Sequence, residues 1–442
     1  MNDYRKIADA VGEEIASGKR KPGERLPPQR DFAYERGIAA STASRVYAEL
    51  AKRGLVTGEV GRGTFVRLPA SRQTPALTEP ATSAIDLELN SPIVSGQSAI
   101  VEQSLKALLH ATVLEQLSRP AGATGTRSAR TIAANFVGRG AWHPDAEAIM
   151  FTGNGRQAIA AALSALAPPG SRIGVEALTY PVIKGVAARL GITLVPIGCD
   201  SEGMVPAAIR RAHNATPLNC IYVQPSLHNP LGMTMSLERR GAIASILAQS
   251  DLVAIEDGVY GFLVDEEPLA KHAPDHVVLV DSLSKRIAPG TTLGVIIAPA
   301  HMREKMLASV RSGAWSPSGL PLALGLQLML DGSAHQIGKL KREDAKARHA
   351  LARRVLSTFE VSGDARAYHI WASLSDHWRA ETFAIFAARQ GVSVLPASAF
   401  ASSPGHAPNA IRLALSAPTM PMLATGLNIL NSLAASSPHL IE

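Results

Sequence analysis

Apolar residues recur every fourth position in the opening stretch YRKIADAVGEEIASGK, at Ile7, Val11 and Ile15, which predicts a helix with one buried stripe. The prolines and glycine of KRKPGERLPPQ break that period, and RDFAYERG then has room for a two-turn helix ending at Gly37. In STASRVYAELAKRG, Val46 and Leu50 are core positions and Ser41 or Thr42 is available as the cap, so a third helix is predicted. LVTGEVGRGTFV reads as two short strands around a glycine-rich turn. Three helices and a hairpin are the elements of a winged helix-turn-helix.

From Pro69 to Pro92 the chain carries four prolines and little apolar periodicity, which predicts an extended connection. Beyond it the pattern changes. EAIMFT, SRIGVE, ITLVPI, NCIYVQP, DLVAIED, VVLVDS and LGVIIAP are β-rich runs, most of them separated by stretches long enough for helical crossovers. Such alternation predicts a large, mostly parallel α/β sheet. After Asp331 a long charged helix, HQIGKLKREDAKARHALARRVLSTF, opens a mixed α/β remainder that reads as a smaller second lobe. The expected division is a head over 1–68, a linker over 69–92, a large domain over 93–331 and a small lobe over 332–442.

Composition adds to this picture. A chain of 442 residues, 46% hydrophobic, exceeds what one core usually serves. The net charge of +7 is uneven: residues 1–72 hold 14 Lys and Arg against 9 Asp and Glu, whereas the remainder is nearly balanced at 30 against 28. The head, not the body, is therefore suited to a polyanion. In a winged helix-turn-helix the third helix enters the major groove of double-stranded DNA and the hairpin touches the flanking backbone. Arg30, Ser41, Thr42, Arg45 and Arg62 are short polar or cationic groups at the helix starts and the wing tip, where phosphates or base edges come within reach. No apolar run approaches the ~20 residues needed to span a bilayer, and the polar amino terminus lacks a signal region, so a cytoplasmic protein with no membrane partner is expected. Cys199 and Cys220 are too few for a disulfide framework or a metal cluster, and no metal site is expected.

The candidate chemistry lies at strand ends, where open α/β sheets bind ligands. IMFTGNGRQA is strand, glycine-rich turn and helix start, able to hold a phosphate through backbone N–H groups. Asn229 and Asp257 end two further strands, and Tyr260 follows three residues after Asp257. An acidic group at a strand end can keep a pyridine nitrogen protonated, which is what a pyridoxal phosphate ring requires. Lys285, just past the next strand in DSLSKRIAPG, can form an imine with such a cofactor if its pKa is lowered enough to leave a nucleophilic amine.

KPGERLP, TASRVYAEL and GRGTFV, in that order and spacing, resemble the amino-terminal domain of GntR-type regulators. One departure is the start of the third helix, which has Ala39 and Ala40 where that family more often has a capping serine and an arginine. FTGNGRQA, VEALTYP, PSLHNPLG, IEDGVYG, DSLSK and AIRLALS resemble fold-type I aminotransferases from about Asp86 onward. That resemblance implies Lys285 as the Schiff-base lysine, Asp257 on the pyridine nitrogen, and Asn229 and Tyr260 on the ring oxygen. It further implies Tyr180 stacked on the ring, with Gly155, Arg156, Gln157, Ser282 and Ser284 around the phosphate. Arg412 matches the arginine that grips an amino acid carboxylate. Thr291 and Thr292 stand where aminotransferases commonly carry a phosphate-binding arginine, which implies that Arg286, Arg156 or a partner-subunit residue replaces it, or that the cofactor binds less tightly.

The combination of head and body resembles the MocR subfamily of bacterial transcription regulators. It implies pyridoxal phosphate as cofactor, a head-to-tail homodimer, and an amine or amino acid effector whose binding at Lys285 and Arg412 alters the arrangement of the heads. Two alternatives are an authentic aminotransferase and a DNA-binding protein whose body has lost its cofactor and serves for dimerisation.

Overall fold

A computed structural model describes residues 4–436, apart from 17, 18, 22, 53, 54, 60, 61, 67–82, 110–114, 116, 118, 119 and 403–406. The three head helices are Tyr4–Ala16, Gln29–Glu35 and Ala40–Lys52, and the wing pairs Val56–Glu59 antiparallel with Gly63–Val66. Ala8, Val11, Leu26, Phe32, Val46, Leu50 and Val66 close a small core of their own, with Ile7 and Ile15 packed at its margin. Phe32 and Tyr47 meet edge to face at 5.2 Å, and the Tyr47 hydroxyl donates to the Pro27 carbonyl, which fixes the second helix on the third. The third helix begins earlier than its caps predicted. Ala39 accepts from the Thr42 and Ala43 amides, so Ser41 and Thr42 lie inside the first turn instead of capping it.

All seven β-rich runs form strands of one sheet. Its spatial order is Ile149–Thr152, Gly294–Ile297, Val277–Ser282, Val253–Asp257, Cys220–Val223, Arg172–Glu176, Thr193–Ile197. Only Gly294–Ile297 runs against its neighbours. Alternate residues point to opposite faces. Ile149, Phe151, Ile221, Val223, Ala254, Val277 and Leu279 pack beneath one helix layer, while Met150, Tyr222, Ile255, Val278, Val280 and Ile296 pack beneath the other, built largely by Gly155–Leu166, Pro181–Leu190 and Arg303–Ser312. Continuous apolar runs in the sequence reflect this two-sided burial.

Helix Ser333–Val355, about 35 Å long at 1.5 Å per residue, leads into the smaller lobe. There Glu360–Ser362, His369–Ser373, Ala410–Ala414 and Leu395–Pro396 form an antiparallel sheet backed by Ala380–Arg389 and Met420–Ala435. Of the connection expected over 69–92, residues 69–82 lie outside the described residues. The remainder is not an extended linker. Ile85–Asp86 pairs in parallel with Val392–Ser393, and Ile85 and Leu87 are buried in the core of the small lobe. This pairing is made with residues some 300 positions away, and no local periodicity announces it.

Candidate functional site

Strand alternation builds the site. Tyr222 sits opposite Ile255, and Asp257 is two residues further along the same face, so the phenol and the carboxylate share one side of the sheet. The Tyr222 hydroxyl donates to Asp257 Oδ2 at 2.5 Å, and the Val259 amide donates to Oδ1. Burial pushes the Asp257 carboxyl up to about 6, with the Tyr222 hydrogen bond opposing it. Ser282, two residues beyond Val280, faces the same layer and meets the start of helix Gly155–Leu166. A Cβ at Gly155 would lie 3.0 Å from Ser282 Cβ, so glycine permits the helix start to approach the strand end. Asn154 caps that helix by accepting from the Gln157 amide.

Ser282, Ser284 and Thr292 form a cluster of hydroxyls beside this helix start: Ser284 Oγ is 2.7 Å from Ser282 Oγ and 2.5 Å from Thr292 Oγ1. Thr292, where aminotransferases commonly have arginine, is thus a member of the cradle. Arg286 does not take the arginine's place. It is buried against Asp281 at 3.7 Å, with its guanidinium 4.3 Å from the Phe136 ring centre and 5.3 Å from that of Phe262. Arg156, at the exposed helix start, lies instead near both Tyr180 and Lys285, since its charge acts on the pKa of each. The Gln157 side chain folds back over Gly153, and its Oε1 is buried without a hydrogen-bond partner among the described residues.

Lys285 lies on the short helix Leu283–Arg286 that follows strand Val277–Ser282. Burial pushes its amine down to about 8, helped by the positive charges of Arg156 and Arg412 and opposed by Asp257. Its Nζ donates to the Asn90 main-chain carbonyl. The Asn90 side chain donates to the Tyr260 hydroxyl at 3.2 Å and accepts from Ser416 at 3.2 Å. Asn229 is buried, its main chain clamped in both directions by the Gln224 side chain, and its Oδ1 finds no partner among the described residues. Arg412, central in strand Ala410–Ala414, donates through Nη2 to the Glu88 carbonyl at 2.7 Å, while its buried Nε has no partner among them.

Lys285, Asp257, Tyr260, Tyr180, Arg156 and Arg412 are therefore brought together, close enough that the charges of Arg412 and Asp257 act on Lys285 and both tyrosines, and that of Arg156 on Lys285 and Tyr180. Sequence reasoning missed Asn90, Tyr222 and Gln224, and also Lys341. The fully buried Lys341 Nζ donates to the Ile287 carbonyl at 2.6 Å and to that of Lys285 at 3.1 Å, tying the lysine-bearing loop to helix Ser333–Val355. A buried tyrosine hydroxyl in an all-apolar strand was the available signal for Tyr222, because such a group requires a partner.

In the head, Arg30 is exposed on the second helix, and Ser41 and Arg45 are exposed one turn apart on the third. Thr42 is half-buried beside them. Arg62 differs: its Nη2 donates to the Asp376 carbonyl of the small lobe at 3.3 Å, and Arg379 of that lobe stacks 3.8 Å over the wing residue Phe65. No helix among the described residues is long and apolar enough to cross a membrane.

The profile of bacterial regulatory proteins of the gntR family matches residues 3–66, and that of aminotransferase class I and II matches residues 82–430. The HTH-type transcriptional regulator YdeF of Bacillus subtilis (strain 168) is 30% identical over 436 residues, which are 97% of this chain and 94% of YdeF. The chain belongs to the MocR subfamily of GntR-type transcription regulators. The pyridoxine biosynthesis regulator PdxR of Corynebacterium glutamicum is 25% identical over 321 residues, covering 71% of this MocR chain and 69% of PdxR. Among solved structures, an archaeal alanine:glyoxylate aminotransferase has the same fold, with a TM-score of 0.71 at 21% identity, covering 93% of this chain and 96% of the other.

As a MocR protein the chain is a transcription regulator that binds DNA through its head, and pyridoxal phosphate is the cofactor of its body. The residues present fit that group. A hydroxyl cradle at a helix start suits a phosphate, a buried carboxylate suits a pyridinium, and the buried side chain of Asn229, whose amide N–H can donate, suits a ring oxygen.

Proposed function

We propose that this regulator reads the occupancy of its pyridoxal phosphate site by an amine or amino acid and passes that state to DNA through a homodimer in the cytoplasm. Lys285 would hold the cofactor through its buried side-chain amine. Asp257 pairs with the pyridine nitrogen, Asn229 and Tyr260 hold the ring oxygen, and Tyr180 stacks on the ring. Gly155, Arg156, Gln157, Ser282 and Ser284, joined by Thr292, hold the phosphate, with Arg156 supplying the cation that Thr292 does not. Bound, pyridoxal phosphate offers a carbonyl carbon to primary amines and a ring that withdraws electrons. Arg412 takes the effector's carboxylate, a task suited to a planar guanidinium. Arg30, Ser41, Thr42, Arg45 and Arg62 meet DNA, and a head-to-tail dimer sets the spacing of its half-sites. The working division keeps a head over 1–68, a large lobe to 331 and a small lobe from 332, which residues 85–92 also join.

The observation that carries this reading is the buried amine of Lys285, lowered to about 8 amid Arg156, Arg412 and Asp257. A lysine so placed is a nucleophile near neutral pH. Borohydride reduction of the protein with pyridoxal phosphate, followed by mass mapping, should find the adduct on Lys285. Its absence there would overturn the assignment. Retention of Lys285, Asp257 and Arg412 together also favours a second reading, transamination. Sustained keto acid production with a second keto acid as acceptor would support that reading.

A further inference from the structure

The two side chains assigned to ligand binding grip one short stretch of main chain. Arg412 Nη2 donates to the Glu88 carbonyl and Lys285 Nζ to the Asn90 carbonyl, two residues apart. This stretch immediately follows the connection from the DNA-binding head. It is laid along the small lobe by the Ile85 amide on the Gly391 carbonyl, the Leu87 amide on that of Ser393, and the Ala414 amide on that of Leu87. Asp86 Oδ1 accepts from the amides of Glu88 and Leu89, which turns the chain toward the site.

We propose that Glu88–Asn90 is a strap that the ligand-free site holds and the occupied site releases, so that cofactor and effector act on the head by competing with this main chain for Lys285 and Arg412. The proposal rests on the roles given above to those two residues. A lysine nitrogen committed to a covalent bond with the cofactor keeps at most one N–H, and its direction is then set by the ring. A carboxylate is a stronger acceptor for a guanidinium than a peptide carbonyl is, because the hydrogen bond is charge-assisted. Each ligand group thus removes one anchor from the strap. The side chain of Asn90, held by Ser416 and donating to the Tyr260 hydroxyl, keeps its end in the site and makes the change a local loosening. Ligands shift such an equilibrium only through their different affinity for the two states, and direct competition supplies that difference.

Hydrogen exchange read by mass spectrometry on the full-length protein, over peptides covering residues 84–91, tests the strap. Loss of one net hydrogen bond changes a local opening equilibrium roughly five- to tenfold. Cofactor-loaded wild type, cofactor-free Lys285→Ala and cofactor-free Arg412→Gln should each exchange the Leu87, Glu88 and Leu89 amides faster than cofactor-free wild type by about that factor. Unchanged exchange in strand Val253–Asp257 reports that each variant is folded. Should Lys285→Ala misfold, Arg412→Gln alone decides. Equal or slower exchange in the loaded protein and in the folded variants would overturn the strap. A reduced adduct found on Lys285 in the same sample shows whether the cofactor assignment survives that outcome. If no adduct forms, the cofactor assignment fails, and the cofactor-free variants still decide the strap.

Discussion

Tyr222 donates its phenolic hydrogen to Asp257 Oδ2 at 2.5 Å inside a fully buried face of the sheet. The donor stabilises the charged carboxylate against a burial that otherwise favours the neutral acid. Tyr222→Phe should therefore raise the Asp257 pKa further above 6 and leave less carboxylate for the pyridine nitrogen. Cofactor affinity measured by absorbance titration is expected to fall roughly tenfold at pH 6.5. The loss should narrow at pH 8.5, where the carboxyl ionises in either protein. Equal loss at both values would contradict this role.

Asp257 also ties the site to stability. Its folded-state pKa, about 6, lies above the ordinary 3.8, so its stabilising contribution is complete only below the ordinary value and is lost as pH rises through 6. At pH 7.5 the ionised group destabilises the cofactor-free fold by on the order of 2–3 kcal/mol. Cofactor-free Asp257→Asn is expected to melt above wild type at pH 7.5, with the difference roughly halved at pH 5 and closing only below the ordinary value of 3.8. Calorimetry at the two values checks this.

For Lys285, a pKa near 8 leaves about one amine in ten neutral at pH 7, against roughly one in three thousand for an ordinary lysine. The rate of cofactor attachment should rise with pH to a plateau with its midpoint near 8. Arg412→Gln removes a neighbouring positive charge and should move that midpoint upward. Stopped-flow absorbance provides the profile, and a rate still rising steeply above pH 9.5 in the wild type would exclude a lowered amine.

Thr292 contributes a hydroxyl where a cation commonly stands in aminotransferases. Thr292→Val should weaken pyridoxal phosphate binding about fivefold, the value of one hydrogen bond, and Thr292→Arg should strengthen it by a similar factor or more. Equilibrium dialysis against the cofactor measures both.

In the head, Arg45 is exposed on the third helix, whereas Arg62 shares its guanidinium with the small lobe. Arg45→Ala should cost about 1–3 kcal/mol of DNA binding if it reads a base edge, or lower the salt dependence by about one phosphate contact if it does not. Fluorescence anisotropy across a salt series separates the two.

Much of this was legible in the chain. The seven strands follow from short β-rich runs bounded by turns, and Lys285, Asp257, Asn229 and Tyr260 stand at or near positions that the runs themselves mark, whereas Arg412 was pointed to only by the aminotransferase resemblance. What stayed hidden was non-local. Asn90 sits in a proline-bearing stretch without periodicity, and its place depends on pairing between Ile85–Asp86 and Val392–Ser393. Tyr222 lies in a strand buried on both faces, where alternation leaves no polar signal. Arg286, beside the lysine in sequence, looked able to replace the absent arginine, but the helical turn directs it to Phe136 and Asp281. Ser41 and Thr42 looked like caps by residue type, but the third helix is capped at least two residues earlier, at Ala39.

The most direct measurement is the affinity of the full-length protein for duplex DNA from upstream of its own gene. It should be taken with and without pyridoxal phosphate and a panel of amines and amino acids, for wild type and Lys285→Ala in parallel. The expected result is specific binding by both proteins, with an affinity or footprint that responds to cofactor and effector only in the wild type. An identical response in Lys285→Ala, or no preference over random duplex in either protein, would contradict a regulator that works through this lysine.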